Sequence, residues 1–320
     1  MNTTTGAAAM RAAHTALQTA ADTAANNAAH TARSTTVARQ WDAAAQSWHD
    51  SRVPIRAWLQ QATAALLNAA AIAPGMRVLD VAAGAGDQTL DIARRVGLQS
   101  HVTATDVSPH MLVLAAEALR EAGLHNVDCL PSDAQALPLA GAGYDAAVCR
   151  PALMLCPQPA LALRCIHAAL RPGARLSLLV FDGPAGNPCI AALARMVQRH
   201  APPPAATPAA LPADPYRPGS LLSLGRPGLL LQLLQGSGFD DIRIEAIEAP
   251  FELPSAHDYV QFLRNAAAPV MALLQPLPAA VQRAAWQEIS AELSAFQTAD
   301  GWRGPNRLLL ASGRAAAPQA

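Results

Sequence analysis

Between residues 76 and 182 short apolar runs alternate with longer amphipathic ones. "RVLDV", "HVTATD", "NVDCLPSD", "YDAAVCR" and "ARLSLLVFD" each have the length of a strand, and the runs between them carry the three-to-four-residue period of a helix laid on a core. This alternation predicts a parallel sheet covered by helices and joined by right-handed crossovers, with ligands bound beyond the carboxyl ends of the strands. Strand one is expected over Arg77–Val81, followed by a loop over Ala82–Gly86 and a helix from Asp87 to Val96. Strand two ends at Asp106; Ser108 caps the next helix, Pro109 opens its first turn and Gly123 stops it. The turn "RPG" leads into strand five.

From Val37 to about Ala73 the period is helical throughout: Trp41 and Trp48 stand seven apart, and Ile55, Leu59, Ala62 and Leu66 recur at three or four residues. These helices must pack on something. Residues 1–33 are Ala, Thr and Asn with almost no apolar bulk, too little to offset the entropy of ordering them, and a disordered or weakly helical tail is expected. Past the core come the proline-rich "APPPAATPAALPADPYRPG", two helical segments and two last strand candidates, "IRIEAIEA" and "RLLLASG". The expected organisation is a tail (1–33) and one domain (34–320). That domain divides into cap helices (34–73), a core (74–183), a proline-rich lid insertion with a helix (184–236), and last strands with intervening helices (237–320).

Of 320 residues 52% are hydrophobic, but so many are alanine that the core is adequate rather than membrane-like. No uncharged apolar run reaches the roughly eighteen residues of a spanning helix, so no integral membrane segment is expected. All 23 basic residues are arginine, matched by 23 acidic ones, and no basic stripe suggests nucleic acid as a partner. The five cysteines lack CxxC spacing, as expected for free thiols in a reducing compartment, and no metal site is indicated. The first residues lack a signal-peptide pattern, so a cytoplasmic address is expected. Monomer and homodimer both stay open.

The chemistry gathers in "VLDVAAGAGD", Val78–Asp87. Gly84 and Gly86 in a strand-to-helix turn permit positive φ and let a ligand approach the main chain. Asp106 ends the next strand about twenty residues later, where a carboxylate takes both hydroxyls of a ribose. A nicotinamide dinucleotide would call for a third glycine where Thr89 stands. Asp80, inside the strand, would repel a pyrophosphate but attract a cofactor bearing an ammonium and a sulfonium.

With these residues the chain resembles the class I S-adenosylmethionine-dependent methyltransferases, and among them the branch of the ubiquinone/menaquinone C-methyltransferases. "VLDVAAGAGD" is similar to the glycine-rich motif, "TATDVSPHML" to the ribose motif and "SDAQALPL" to the adenine motif. "YDAAVCRPALMLCPQPALALRCIHAALRPGARL" is similar to the fourth and fifth strands with their helix. The resemblance covers about Trp41 to Gly313 and departs at Ala82, where a third glycine is common. It implies an α/β fold: a doubly wound, mostly parallel, Rossmann-like sheet of seven strands with the last antiparallel, plus a helical cap.

It also implies S-adenosyl-L-methionine as cofactor and roles for particular residues. Asp80 would orient the loop or the cofactor's amino group, and Ala82, Gly84 and Gly86 would line its methionine part. Asp106 would bind ribose, Val107 and Met111 would sandwich adenine, and Asp133 beside Ala134 would accept its amino group. The backbone at Cys149 would meet the methionine portion. Candidates for base or acceptor contact are His49, Arg150, Asp182, His257 and Tyr259. For Arg150 the competing reading is an ion pair with Asp42 or Asp50. Trp41, Trp48 and Trp58 read first as packing residues and second as an aromatic wall.

The reaction so implied is methyl transfer to oxygen, nitrogen or carbon of a small aromatic or quinone-like acceptor, by in-line displacement with or without a dedicated base. The alternatives are a cofactor-binding relative that transfers nothing and serves regulation or interaction, and one that catalyses a non-methylating reaction such as decarboxylation.

Overall fold

The computed structural model describes residues 34–200 and 214–317. The expected tail and residues 201–213 of the proline-rich lid lie outside the described residues. Helix α1 covers residues 34–50 and leads into α2 (Arg52–Ala69). Then come β1 (Val78–Val81), α3 (Asp87–Val96), β2 (Val102–Asp106), α4 (Pro109–Glu121), β3 (Val127–Pro131), β4 (Tyr144–Cys149), α5 (Pro159–Ala169) and β5 (Leu170–Phe181). Between β3 and β4 the expected alternation breaks: Pro138, Gly141 and Gly143 oppose a helix, and only a 3-10 turn over Ala134–Ala136 forms. The remaining elements are α6 (Pro188–His200), α7 (Leu229–Gln235), β6 (Phe239–Glu248), β7 (Phe251–Leu253), α8 (Ala256–Ala266), α9 (Ala268–Leu274), α10 (Ala279–Leu293), β8 (Gln297–Thr298), β9 (Gly301–Gly304) and β10 (Arg307–Ala315).

Seven strands form the main sheet in the order β3-β2-β1-β4-β5-β10-β6. The pairs β1–β2, β1–β4, β2–β3 and β4–β5 are parallel, while β10 runs antiparallel between β5 and β6. β1 is buried at every position, as a central strand covered on both faces must be. The strand order reverses beside β1, so the crevice beyond Val81 and Asp106 is where such a sheet takes its ligand. Ser108 caps α4 as expected, its Oγ accepting the N–H of Met111 at 3.1 Å.

The sequence reading missed a second unit. β7, β9 and β8 form a small antiparallel sheet, and α6, α8, α9 and α10 close with it around a core containing Met196, Phe251, Tyr259, Trp286 and Trp302. Four helices, rather than two, follow the proline-rich stretch among the described residues. Trp58 and Phe262 pack against both this core and that of the main sheet. Among the described residues no helix is long and apolar enough to cross a membrane.

Candidate active site

Ala82, Gly84 and Gly86 take φ values of 56°, 58° and 85° in the loop between β1 and α3. Left-handed backbone costs a residue with a Cβ about 1–2 kcal/mol, so Ala82 bears strain where the related motif commonly has glycine. A Cβ on Gly84 would stand in open space, with only the indole Nε1 of Trp48 near it, at 3.8 Å. A Cβ on Gly86 would meet the Cβ of Ala115 at 2.8 Å and its Cα at 2.9 Å. One glycine leaves room above the loop; the other lets α3 press against α4.

Two carboxylates hold this loop. Asp106 accepts the N–H of Gly84 on Oδ2 and that of Ser108 on Oδ1, each at 2.9 Å. Burial pushes its pKa up, opposed by the N–H groups of Ser108, Gly84 and Val107. Asp80 lies fully buried beneath the loop, where it accepts from Gln88 Nε2 and, at 2.7 Å, from Thr89 Oγ1. Burial lifts its pKa from 3.8 to about 6 against the pull of these donors and of Arg150.

Above the loop a cavity of about 220 Å³ opens. A single water needs only about 10–15 Å³ by this kind of measure, so the space suits a ligand rather than a packing void. It has two lobes. The first lies at the carboxyl ends of β1, β2 and β3, where Ala82, Gly84, Asp106, Val107, Met111 and residues 132–135 line it. Helix α1 covers this lobe with Ser34, Val37, Trp41 and Trp48, and is pinned by Asp42, which accepts the Ser108 hydroxyl and the His110 N–H at the start of α4. The second lobe is aromatic: Trp58 stacks on Phe181 and Phe251 at 6.1 and 4.9 Å between centroids, and Phe251 meets Phe262 edge-on at 5.0 Å.

Of the residues expected to hold the cofactor, Ala82, Gly84, Asp106, Val107, Met111, Asp133 and Ala134 line the cavity. Asp80, Gly86 and Cys149 do not. Asp80 holds the loop from below through Gln88 and Thr89, and Gly86 lets α3 pack closely on α4. The Cys149 side chain is buried at the end of β4, its thiol pushed up to about 12 by burial. Asp133 caps the 3-10 turn, accepting from Gln135 N at 2.9 Å.

The catalytic candidates divide. Arg150 and Tyr259 line the cavity; His49, Asp182 and His257 do not. His49 is one residue, and so about 100° of helix, away from Trp48, which faces the site. His257 is exposed, off the buried face of α8 formed by Ala256, Tyr259, Val260 and Leu263. Asp182 is bound to Arg307 Nε at 2.6 Å. Arg150 pairs with Asp87 at 2.9 Å and donates to Thr63 Oγ1 at 2.8 Å, so its ion-pair partner opens α3 and is neither Asp42 nor Asp50. Trp41, Trp48 and Trp58 all line the cavity, so the wall reading and the packing reading both hold. Phe181, Phe251, Phe262, Gln135 and Asn306 also line it and were not singled out from sequence; only Gln135, inside the adenine motif, carried a local signal.

Residues 78–173 match the family model described as a methyltransferase domain. The match runs from β1 to the start of β5, the part of the sheet that carries the glycine-rich loop. Among curated proteins the chain is similar to the ubiquinone/menaquinone biosynthesis C-methyltransferase UbiE of Yersinia enterocolitica, with 34% identity over 123 residues, 38% of this chain and 49% of that one. The chain thus spans about half the length of the curated relatives it matches. Among solved structures it resembles the YcgJ protein of Bacillus subtilis (TM-score 0.53, 16% identity, 81% of this chain and 99% of that one). It also resembles the [4+2]-cyclase SpnF (TM-score 0.50, 22% identity, 80% and 82%). At these identities the structural likeness speaks for the fold alone.

The residues present fit S-adenosylmethionine. The Asp106 carboxylate has lone pairs left for ribose hydroxyls after its backbone bonds. Val107 and Met111 offer apolar surface beside it, and Gly84 leaves the main chain open. Asp106 and Asp133 line the lobe and Asp80 lies beneath its loop, while the one arginine lining it among the described residues, Arg150, is paired with Asp87; the negative balance suits a cation.

Proposed function

We propose that this chain transfers the methyl group of S-adenosylmethionine to oxygen, nitrogen or carbon of a small apolar acceptor that is aromatic or quinone-like. The observation that carries this reading is the continuity of the two lobes: the loop that suits the cofactor and the aromatic walls belong to one cavity. When bound, the cofactor supplies a methyl on a sulfonium, already a good leaving group. The protein's share is to align the acceptor, exclude water and hold charge. Trp41 and Trp48 on α1 shut the first lobe from solvent, and Trp58, Phe181 and Phe251 give a flat acceptor faces to stack on. Tyr259 lines the second lobe, but burial pushes its pKa well above the usual value, so its hydroxyl stays neutral and serves as no base. The name of the Yersinia relative favours carbon methylation of a quinone-like ring, which this chain is proposed to share.

The likeness to a cyclase keeps the non-methylating alternative in view, since one fold serves several chemistries. Incubation with S-adenosylmethionine and a panel of quinols, phenols and aromatic amines separates the readings. Stoichiometric release of S-adenosylhomocysteine with methylated product supports transfer; conversion of acceptor with the cofactor recovered intact supports the alternative.

A further inference from the structure

Asn306, in the turn between β9 and β10, is 2% exposed and lines the cavity, yet its Oδ1 has no hydrogen-bond partner among the described residues. Its Nδ2 donates to the Gly304 carbonyl at 3.2 Å and its backbone oxygen accepts the Ala249 N–H at 2.8 Å. Two neighbours fix it at the aromatic walls. The Ala249 carbonyl accepts Trp58 Nε1 at 2.7 Å, and Leu308, two residues on, pairs with Phe181. The Gly304 carbonyl also sets the orientation of the amide, because turning it over would set oxygen against oxygen.

The second lobe offers few other polar groups. The Tyr259 hydroxyl is bound to Cys189, and its ring is stacked on Trp302 at 4.0 Å between centroids. An amide oxygen buried among aromatic walls without a donor is a standing cost, and a ligand that brings a donor removes it. Sites built this way favour a ligand bearing a hydroxyl or N–H over the same ligand without it.

Resting on the methyl-acceptor reading of this cavity, we propose that Asn306 is a specificity-determining residue whose Oδ1 accepts a hydrogen bond from a ring hydroxyl or N–H of the acceptor. The site then takes planar aromatics that carry a donor and discriminates against the same ring without one.

The test is binding without turnover. 1-Naphthol and naphthalene are titrated into protein saturated with S-adenosylhomocysteine, and quenching of tryptophan fluorescence is followed. Naphthalene is the more hydrophobic of the two, so burial alone predicts that it binds better. The inference predicts that 1-naphthol binds wild type about tenfold tighter, and that Asn306→Leu brings the two ligands within about a factor of three. Should the leucine variant fail to fold by circular dichroism, Asn306→Ser, which keeps a polar group but lacks the reach, takes its place. Equal affinities in wild type, or a preference that survives the substitution, overturn the assignment of Asn306 while leaving the aromatic acceptor site standing. If neither ligand binds, the aromatic-acceptor reading falls and this inference falls with it.

Discussion

Asp106 Oδ2 accepts the backbone N–H of Gly84 at 2.9 Å, so the carboxylate at the end of β2 shapes the loop after β1 as well as facing the cavity. Asp106→Ala removes both services. Cofactor affinity is expected to fall about tenfold to a hundredfold, and stability by about 1–3 kcal/mol as the N–H groups of Gly84 and Ser108 lose their acceptor. Calorimetry and thermal melting read the two effects separately; unchanged affinity in a folded variant would remove Asp106 from the ribose.

Gly84 and Gly86 are expected to fail in different ways. Gly86→Ala drives a methyl group into Ala115, and such overpacking costs about 1–3 kcal/mol, enough to lower the melting temperature by several degrees. Gly84→Leu meets no such neighbour and pays mainly for its φ, but fills the first lobe and abolishes cofactor binding. A Gly86→Ala protein that melts like wild type would contradict the packing role.

The cofactor lobe was legible because its residues lie where local signals end. Apolar runs close at Val81 and Asp106, small residues fill the turn, and α3 spans Asp87–Val96 as its period foretold. The aromatic lobe was legible only at Trp58, since Phe181, Phe251, Phe262 and Asn306 lie more than a hundred residues further along the chain and meet it only through tertiary packing. The small sheet escaped for a related reason: β7 has three residues and β8 two, too short for a period, and β7 pairs with β9 across three helices. His49 and His257 drew notice by residue type, and the helix phase that turns them away could be judged only once the buried faces were known.

Arg150 joins α2 to α3 through Thr63 and Asp87 while lining the cavity. Arg150→Leu is expected to cost about 1.5–3 kcal/mol of stability, since charged hydrogen bonds are lost; Arg56 remains to pair with Asp87. If the guanidinium also meets the acceptor, as the sequence led one to expect, affinity or turnover falls about tenfold, which is about 1.4 kcal/mol. A lower melting temperature with both intact would leave Arg150 a structural tie alone.

Asp80 makes the protein sensitive to pH. A buried acid whose pKa is raised holds its proton more tightly folded than unfolded, so this group's contribution falls as pH climbs from about 4 to about 6 and is level above. The size is about 3 kcal/mol as an order of magnitude. A cationic cofactor favours the ionised form, so its affinity is expected to rise as pH passes about 6. In Asp80→Asn both trends should shrink to what Asp106, whose pKa burial also raises, contributes. Parallel pH dependence in the two proteins would place the titration elsewhere.

The central claim is that the cavity above the β1–α3 loop holds S-adenosylmethionine, and calorimetric titration of the wild-type protein near neutral pH tests it most directly, with NADH as the competing nucleotide. The account predicts one S-adenosylmethionine site per chain with micromolar affinity, displaced by S-adenosylhomocysteine, lost in Gly84→Leu and untouched by NADH. Absence of S-adenosylmethionine binding in folded protein, or binding of NADH in its place, would contradict it.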